Sequence, residues 1–154
     1  MAKDGETAGV VAFPPLIFGI PLVAGIIVDR VLSKRRLPPA VRLLAPGFFA
    51  VAVSLVVPAL REFERAQTTY DVFEEATALI ESGPFAHTRN PLYAAMTLAY
   101  FGTALATRST LPFALLPAVL WVVNRGVVER EERHLEQKFG GAYRAYLRRV
   151  PRWI

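Results

Sequence analysis

Four stretches of the chain carry no charged side chain, and polar segments separate them. The charge-free stretches cover residues 7–28, 43–60, 90–107 and 109–124. A helix that crosses the hydrocarbon core of a bilayer needs about 20 predominantly apolar residues. The pattern therefore predicts an all-α integral membrane bundle of about four spans, with four buried helices of a water-soluble bundle as the alternative. The spans are predicted at about residues 10–31, 43–60, 91–107 and 111–127.

The segment between the second and third predicted spans has a helical periodicity of its own. Mostly apolar side chains recur there at steps of three and four, namely Phe63, Ala66, Tyr70, Phe73, Thr77 and Ile80. One face of a helix over residues 61–82 would thus be mostly apolar. We expect this helix to lie along the membrane interface or to cap the bundle, with an interruption at Thr68 and Thr69.

After the fourth predicted span the chain becomes highly charged but keeps a helical pattern. Apolar side chains again step by three or four, at Leu135, Phe139, Tyr143, Tyr146 and Val150. Gly140 and Gly141 are expected to break or bend this helix, because glycine is a poor helix former. A C-terminal helical segment at the membrane surface is the prediction.

The distribution of Lys and Arg predicts the orientation in the membrane. Most of these residues fall on one side if the N-terminus, residues 61–90 and the C-terminal tail share that side. Positively charged residues are enriched in cytoplasmic loops, so this side is predicted to be cytoplasmic. An even hairpin also places "SGPFAHTRNP" and the charged tail on the same face.

Composition excludes several classes of site. The chain has no cysteine and only two histidines, far apart, so no metal site is expected. The net charge of +5 raises the question of nucleic acid. Because the basic residues flank apolar spans, we expect contact with membrane lipids instead, and no nucleic-acid partner.

The stretch "SGPFAHTRNPLYAA", residues 82–95, opens directly into the third predicted span. Gly83 and Pro84 indicate a turn, since glycine permits positive φ and proline fixes its own. Asn90 and Pro91 indicate a helix start, with Asn90 as the N-cap. These structural roles leave His87 and Arg89 unexplained. A helix N-terminus beside an arginine binds a carboxylate or a phosphate, and a lipid phosphate is the simplest candidate.

An acidic pair, Glu131-Glu132, follows the fourth predicted span. Carboxylates this close to a bilayer require a function or a partner. Surface salt bridges with Arg130, Arg133 or Arg144 are one explanation, and a binding site is the other.

Two motifs together resemble a known family. "GPFAHTRNPLY" and, further on, "EERHLEQKFGGAYRAYLRRVPRW" are similar to the isoprenylcysteine carboxyl methyltransferase and phospholipid methyltransferase group of integral membrane enzymes. The resemblance covers about residues 62–154. It implies a single membrane domain over residues 1–154, in which residues 1–61 are a two-span scaffold and residues 62–154 a catalytic region.

The resemblance also implies a cofactor site. In that family S-adenosylmethionine binds on the cytosolic side, between the Gly-Pro turn, the following helix start and the acidic pair. The implied cofactor-binding residues are Gly83, Pro84, Phe85, His87, Arg89, Asn90, Tyr93 and Glu131, and the implied catalytic residues are Arg89 and Glu132. The chain departs from the family pattern at Asn90, where many members carry histidine, and at Val72, where many carry proline.

The chemistry of these side chains suits that cofactor. Its methionyl end has a carboxylate, which Arg89 and the helix N-terminus can bind, and an ammonium, which Glu131 or Glu132 can bind. The expected acceptor is a lipophilic carboxylate, thiol or amine that enters from the bilayer. An amine must also lose a proton, for which Glu132 is the predicted acceptor.

Two other functions remain open at this point. One is a membrane reductase of the sterol-reductase type that uses NADPH, since those enzymes have a similar C-terminal region. The other is a non-enzymatic membrane interaction protein whose tail binds lipid. Cofactor binding separates the three, and the sequence leaves the oligomeric state open.

Overall fold

The computed structural model describes residues 12–32, 36–69 and 76–153, which form helices and connecting turns without a β-strand. The all-α prediction is therefore confirmed. Six α-helices follow one another: α1 Pro14–Val31, α2 Ala45–Arg65, α3 Pro91–Thr107, α4 Leu111–Val123, α5 Glu129–Phe139 and α6 Gly141–Arg149. Short 3₁₀ turns cover Pro39–Leu44 and Gly83–Ala86, and a π-helical turn, Asn124–Val128, joins α4 to α5.

Within the described residues, three helical stretches are long and apolar enough to cross a membrane: Pro14–Val31, Pro39–Arg65 and Leu111–Phe139. Helix α3 is shorter, with 17 residues, and begins and ends where the third span was predicted. This arrangement agrees with about four spans. Side chains on the outer faces of α1 and α2, such as Ile20, Val31 and Val53, are exposed, as expected for helices in contact with lipid.

The bundle is built from two packed pairs. Helix α2 packs along α3, and α1 packs along α4 and also against α3. Helices α1 and α4 approach closely, because a Cβ atom on Gly25 would lie 3.2 Å from the ring of Pro112. Phe18 of α1 lies edge-on to Tyr100 of α3, between the two pairs, and Phe48 stacks on Phe101 within the α2–α3 pair.

One sequence prediction about the polar segments needs correction. The predicted fourth span and the start of the predicted C-terminal helix form one helical stretch, from Leu111 through the π-helical turn to Phe139. The helix predicted over residues 61–82, however, is wrong: α2 ends at Arg65, Gln67 has a φ of 49°, and residues 76–82 are not helical. Tyr70, Val72 and Phe73 lie outside the described residues.

Hydrogen bonds explain why residues 66–69 and 76–82 do not form a helix. The backbone N–H of Thr77 donates to Oγ1 of Thr68 (2.8 Å), and Oγ1 of Thr77 donates to the carbonyl of Gln67 (3.1 Å). Side-chain bonds of this kind offer the backbone an alternative to a helix. Ile80 is buried, and it packs against Ala59 and Phe85. The predicted break at Gly140 is confirmed, since its φ of 52° separates α5 from α6.

Candidate active site

The Gly-Pro turn, Gly83–Ala86, lies against the C-terminal end of α2. Gly83 has a φ of 59°, in the left-handed region that favours glycine. A Cβ atom there would also lie 3.0 Å from Cγ of Glu62. The Glu62 carboxylate accepts a hydrogen bond from Oγ of Ser82 and another from Nη1 of Arg65 (2.7 Å). The turn is thus held against α2 by a buried carboxylate.

Helix α3 starts at Pro91, as predicted, but the side chain of Asn90 does not cap it. Nδ2 of Asn90 instead donates to the carbonyl of Arg152 (3.0 Å). Oγ1 of Thr88 donates to the same carbonyl (3.0 Å), and the backbone N–H of Arg89 donates to the carbonyl of Pro151 (3.0 Å). The C-terminal residues therefore lie across the start of α3.

Both acids of the pair on α5, Glu131 and Glu132, form hydrogen bonds or ion pairs with side chains from other parts of the protein. Nη1 of Arg89 lies 2.9 Å from Oε1 of Glu132, and the two side chains are 13% and 15% exposed. Arg152 binds both oxygens of Glu132, through Nε (3.1 Å) and Nη2 (2.5 Å). The hydroxyl of Tyr93 donates to Oε1 of Glu131 (2.7 Å). Two adjacent carboxylates thus have different partners.

The π-helical turn sets the position of this pair. Gly126, Val127 and Val128 are buried within it. Nδ2 of Asn124 donates to Oε1 of Glu129 (3.2 Å), and Oδ1 of Asn124 accepts from Nη1 of Arg152 (3.3 Å). Turns of this type are rare and occur frequently at functional sites.

A partly open cavity of about 150 Å³ lies between these elements. One end is polar and is lined by Arg89, Asn90, Tyr93, Glu131, Glu132 and His134. The rest of the wall is mainly apolar and includes Phe63, Leu79, Ile80, Phe85, Leu92 and Leu135. Concave sites with a mainly apolar wall and a few convergent polar groups are typical of small-molecule binding.

Two buried nitrogen atoms at the polar end have no hydrogen-bond partner within the described part of the chain. They are Nε of Arg89 and Nε2 of His134. Buried polar groups are almost always satisfied, so an exception requires an explanation. Both residues line the cavity. A polar ligand in the cavity would therefore lie beside both side chains.

Two tyrosines of α6 close another side of the cavity. Tyr143 is 1% exposed, and burial, together with the nearby Glu132 carboxylate, raises its pKa to about 12. Burial raises the pKa of Tyr146 as well, and its hydroxyl donates to the carbonyl of Phe85 (2.8 Å). Both phenols therefore stay neutral at physiological pH and can donate hydrogen bonds.

The structure brings most of the predicted site residues together. Six of them line the cavity: Phe85, Arg89, Asn90, Tyr93, Glu131 and Glu132. Gly83 and Pro84 form the turn that carries Phe85 and are not part of the cavity wall. His87 is exposed and does not line the cavity, because the 3₁₀ turn ends before it and directs it outward.

Sequence reasoning missed several polar residues of the site, among them His134, Tyr143, Tyr146 and Arg152. His134 follows Glu131 by three positions, and residues three apart lie on the same helical face, so its spacing could have identified it. Arg152 offered no such signal. No cluster of three or more metal-ligating side chains occurs among residues 12–32, 36–69 and 76–153.

The fold and the site define an integral membrane protein with a mainly apolar cavity into which a few charged side chains converge. A sequence profile described as phospholipid methyltransferase matches residues 41–142. The chain therefore belongs to the phospholipid methyltransferase family, and its class is that of a membrane methyltransferase. The match spans both the Gly-Pro turn and the acidic pair, and it also includes α2.

One curated protein is also similar to this chain, and its description names no function. An uncharacterized protein of Haemophilus influenzae is 38% identical over 55 residues, which are 36% of this chain and 78% of that protein. No solved structure matches the chain.

Proposed function

We propose that this protein transfers a methyl group from S-adenosylmethionine to a lipophilic acceptor, with the cofactor bound in the cavity beside Arg89. The observation that carries the proposal is the convergence of Arg89, Glu131 and Glu132 on one cavity whose remaining wall is mainly apolar. A zwitterionic methionyl group requires a cation and an anion close together, and a lipophilic acceptor requires an apolar surface.

The residues present fit this cofactor at its charged end. Nε of Arg89 is a buried donor without a partner in the described chain, and it suits a ligand carboxylate. The Glu131 carboxylate is oriented by Tyr93 and suits an ammonium group. Asn90 and Phe85 complete the wall on the α3 side. Gly83 and Pro84 contribute by shaping the turn, and we assign no ligand contact to His87.

When bound, S-adenosylmethionine supplies a methyl group on a sulfonium cation. The protein's part is to hold the two reactants in line and to exclude water from the reacting atoms. The apolar wall, which includes Leu79, Ile80 and Leu92, can take up the acceptor from the bilayer. His134 offers its unpartnered nitrogen to a polar group on the ligand.

Glu132 acts in this proposal by orienting Arg89. Its two oxygens are engaged by Arg89 and Arg152, so it is poorly placed to take a proton from an amine acceptor. The roles of the two acids thus divide: Glu131 meets the cofactor, and Glu132 holds the arginine that meets it. The predicted role of Glu132 as a proton acceptor is replaced by this one.

Titration of purified protein in detergent with S-adenosylhomocysteine tests the proposal. Calorimetry should show saturable binding that Arg89→Ala weakens by about tenfold or more, since a charge-assisted, partly buried contact is lost. Arg133→Ala is the matched control, because Arg133 is exposed on α5. Binding of NADPH in place of S-adenosylhomocysteine would indicate a reductase, and binding of neither would indicate an interaction protein.

The acceptor class and the orientation need separate measurements. Methyl transfer from labelled cofactor to dodecanoate, dodecanethiol and dodecylamine compares a carboxylate, a thiol and an amine of similar lipophilicity. For the orientation, the absence of native cysteine allows single-cysteine labelling in intact cells. We propose that the site faces the cytoplasm, so an impermeant maleimide should label Arg42→Cys at the opposite end and not Arg133→Cys.

A further inference from the structure

The last residues of the chain return to the start of α3. Helix α6 runs from Gly141 to Arg149 and buries Tyr143 and Tyr146. Val150 is buried with them, and Trp153 packs against the core of the bundle. We call residues 151–153 the C-terminal strap.

The strap is fixed to α3 by its backbone. Its carbonyls at positions 151 and 152 accept hydrogen bonds from three consecutive residues, Thr88, Arg89 and Asn90. Thr88 is fully buried and Asn90 is 7% exposed. Hydrogen bonds shielded from water in this way hold their partners in a defined position.

One side chain of the C-terminal strap, that of Arg152, contacts the acidic pair. Arg152 binds both oxygens of Glu132 and also donates through Nη1 to Asn124 in the π-helical turn. The hydrogen bond to Glu132 raises the pKa of Arg152, which therefore stays charged. Two parallel bonds between a guanidinium and a carboxylate fix geometry as well as charge.

Glu132 is consequently shared between two arginines. Its Oε1 is bound by Nε of Arg152 and by Nη1 of Arg89 (2.9 Å), whereas its Oε2 is bound by Nη2 of Arg152. Nε of Arg89 is left without a partner in the described chain, next to the cavity. Without Arg152, Glu132 could form a two-bond pair with Arg89 and draw its guanidinium away from the cavity.

We propose that Arg152 is a positioning residue of the cofactor site, which acts through Glu132 to keep the Arg89 guanidinium available to a ligand carboxylate. This inference rests on the proposed function for the identity of the ligand. The arrangement itself depends only on Arg152, Glu132 and Arg89.

Three variants test the inference by calorimetry with S-adenosylhomocysteine. Arg152→Ala should weaken binding by about tenfold, which corresponds to about 1.4 kcal/mol. Arg152→Lys should fall between Arg152→Ala and the parent, because lysine keeps the charge but cannot form two parallel bonds. Arg148→Ala removes the same charge from an exposed position on α6 and should bind like the parent.

A double-mutant cycle separates positioning from general stability. If Arg152 acts through Glu132, Arg152→Ala should have little further effect on affinity in a Glu132→Gln background. An equal loss in both backgrounds would overturn the inference, as would parent-like affinity of Arg152→Ala in the otherwise unchanged protein.

A cofactor-free measurement keeps the inference testable if S-adenosylhomocysteine does not bind. The Nε–H resonance of Arg89, assigned by its loss in Arg89→Ala, can be followed in protein with isotope-labelled arginine. It should shift in Arg152→Ala and stay in place in Arg148→Ala. An unchanged resonance in Arg152→Ala contradicts the inference, whereas failed cofactor binding with a shifted resonance contradicts only the proposed function.

Discussion

The two ends of the bundle both contain a buried carboxylate, yet they are organised differently. At the far end, formed by residues 29–32, 36–45 and 107–111, Asp29 of α1 accepts from the backbone N–H groups of Thr110 (2.5 Å) and Leu111 (2.8 Å). It therefore caps α4 from a neighbouring helix. At the site end, Glu132 is bound by two arginines beside a cavity.

The hydrogen-bond networks at the two ends differ in whether buried polar atoms are left without a partner. At the far end, Nε of Arg108 donates to the carbonyl of Leu37 (2.7 Å), and the backbone N–H of Leu37 donates to the carbonyl of Arg108 (3.1 Å). Both buried nitrogens without a partner in the described chain belong to the site end. A buried charge alone thus does not identify a functional site, whereas buried, unpartnered polar atoms of residues that line a cavity make one a candidate.

The largest expected effect comes from Glu132→Ala. This change leaves Arg89 and Arg152 without their shared carboxylate, and loss of one partner of such a pair costs roughly 2–5 kcal/mol. We expect most of this loss in the affinity for S-adenosylhomocysteine, measured by calorimetry. Parent-like affinity would mean that the site end is held together without Glu132.

Asp29→Ala should lower the stability of the protein rather than its affinity for the cofactor. Two backbone N–H groups at the start of α4 lose their acceptor, which costs about 1–3 kcal/mol of folding free energy. Thermal unfolding in detergent should report the loss, and Asp29→Asn, which keeps one acceptor oxygen, should lose less. If Asp29→Ala lowered cofactor affinity by more free energy than stability, the far end would also contribute to the cofactor site, which would contradict the prediction.

Gly83→Ala should have a smaller effect that is confined to the site end. An L-residue in the left-handed region costs roughly 1–2 kcal/mol, and the added Cβ would meet Glu62 at 3.0 Å. Gly141→Ala is the control, because no atom lies within 4 Å of a Cβ built there. Equal thermal stability of the two variants would contradict the strained turn.

The smallest expected effect compares two tyrosines on α3. Tyr93→Phe removes one hydrogen bond to Glu131 and should lower cofactor affinity by about 0.5–1.5 kcal/mol. Tyr100→Phe removes the bond from the hydroxyl to the carbonyl of Pro112 (2.9 Å) and should lower stability alone. The same substitution at two positions of α3 would then affect cofactor affinity in one case and stability in the other. If both variants lost affinity and stability to the same extent, the assignment of Tyr93 to the site would be contradicted.

Features that depend on local backbone chemistry were predictable from the sequence. The positive φ of Gly83, the helix start at Pro91 and the break at Gly140 all follow from the conformations that glycine and proline favour. The boundaries of α3 follow from the apolar run that it contains. The role of Asn90 does not, because its partner, the carbonyl of Arg152, is far away in the chain.

Features that depend on distant partners were not predictable. The apolar steps between Phe63 and Ile80 indicate a helix, but Thr77 bonds back to Gln67 and Thr68 and closes a loop instead. The site residues were found through motif resemblance, which says nothing about Arg152. Its part in the site arises only when α6 folds back on the bundle.

The π-helical turn lets this helix hold one residue more than regular winding would. Such a turn closes its hydrogen bonds over one residue more than an α-helical turn does. Removing a single residue from Asn124–Val128 would restore regular winding and leave the residues beyond it facing in nearly the same direction. Glu131 and Glu132 would then still face α3. The turn therefore makes the direction of the acids tolerant of a change of one residue in the length of this segment.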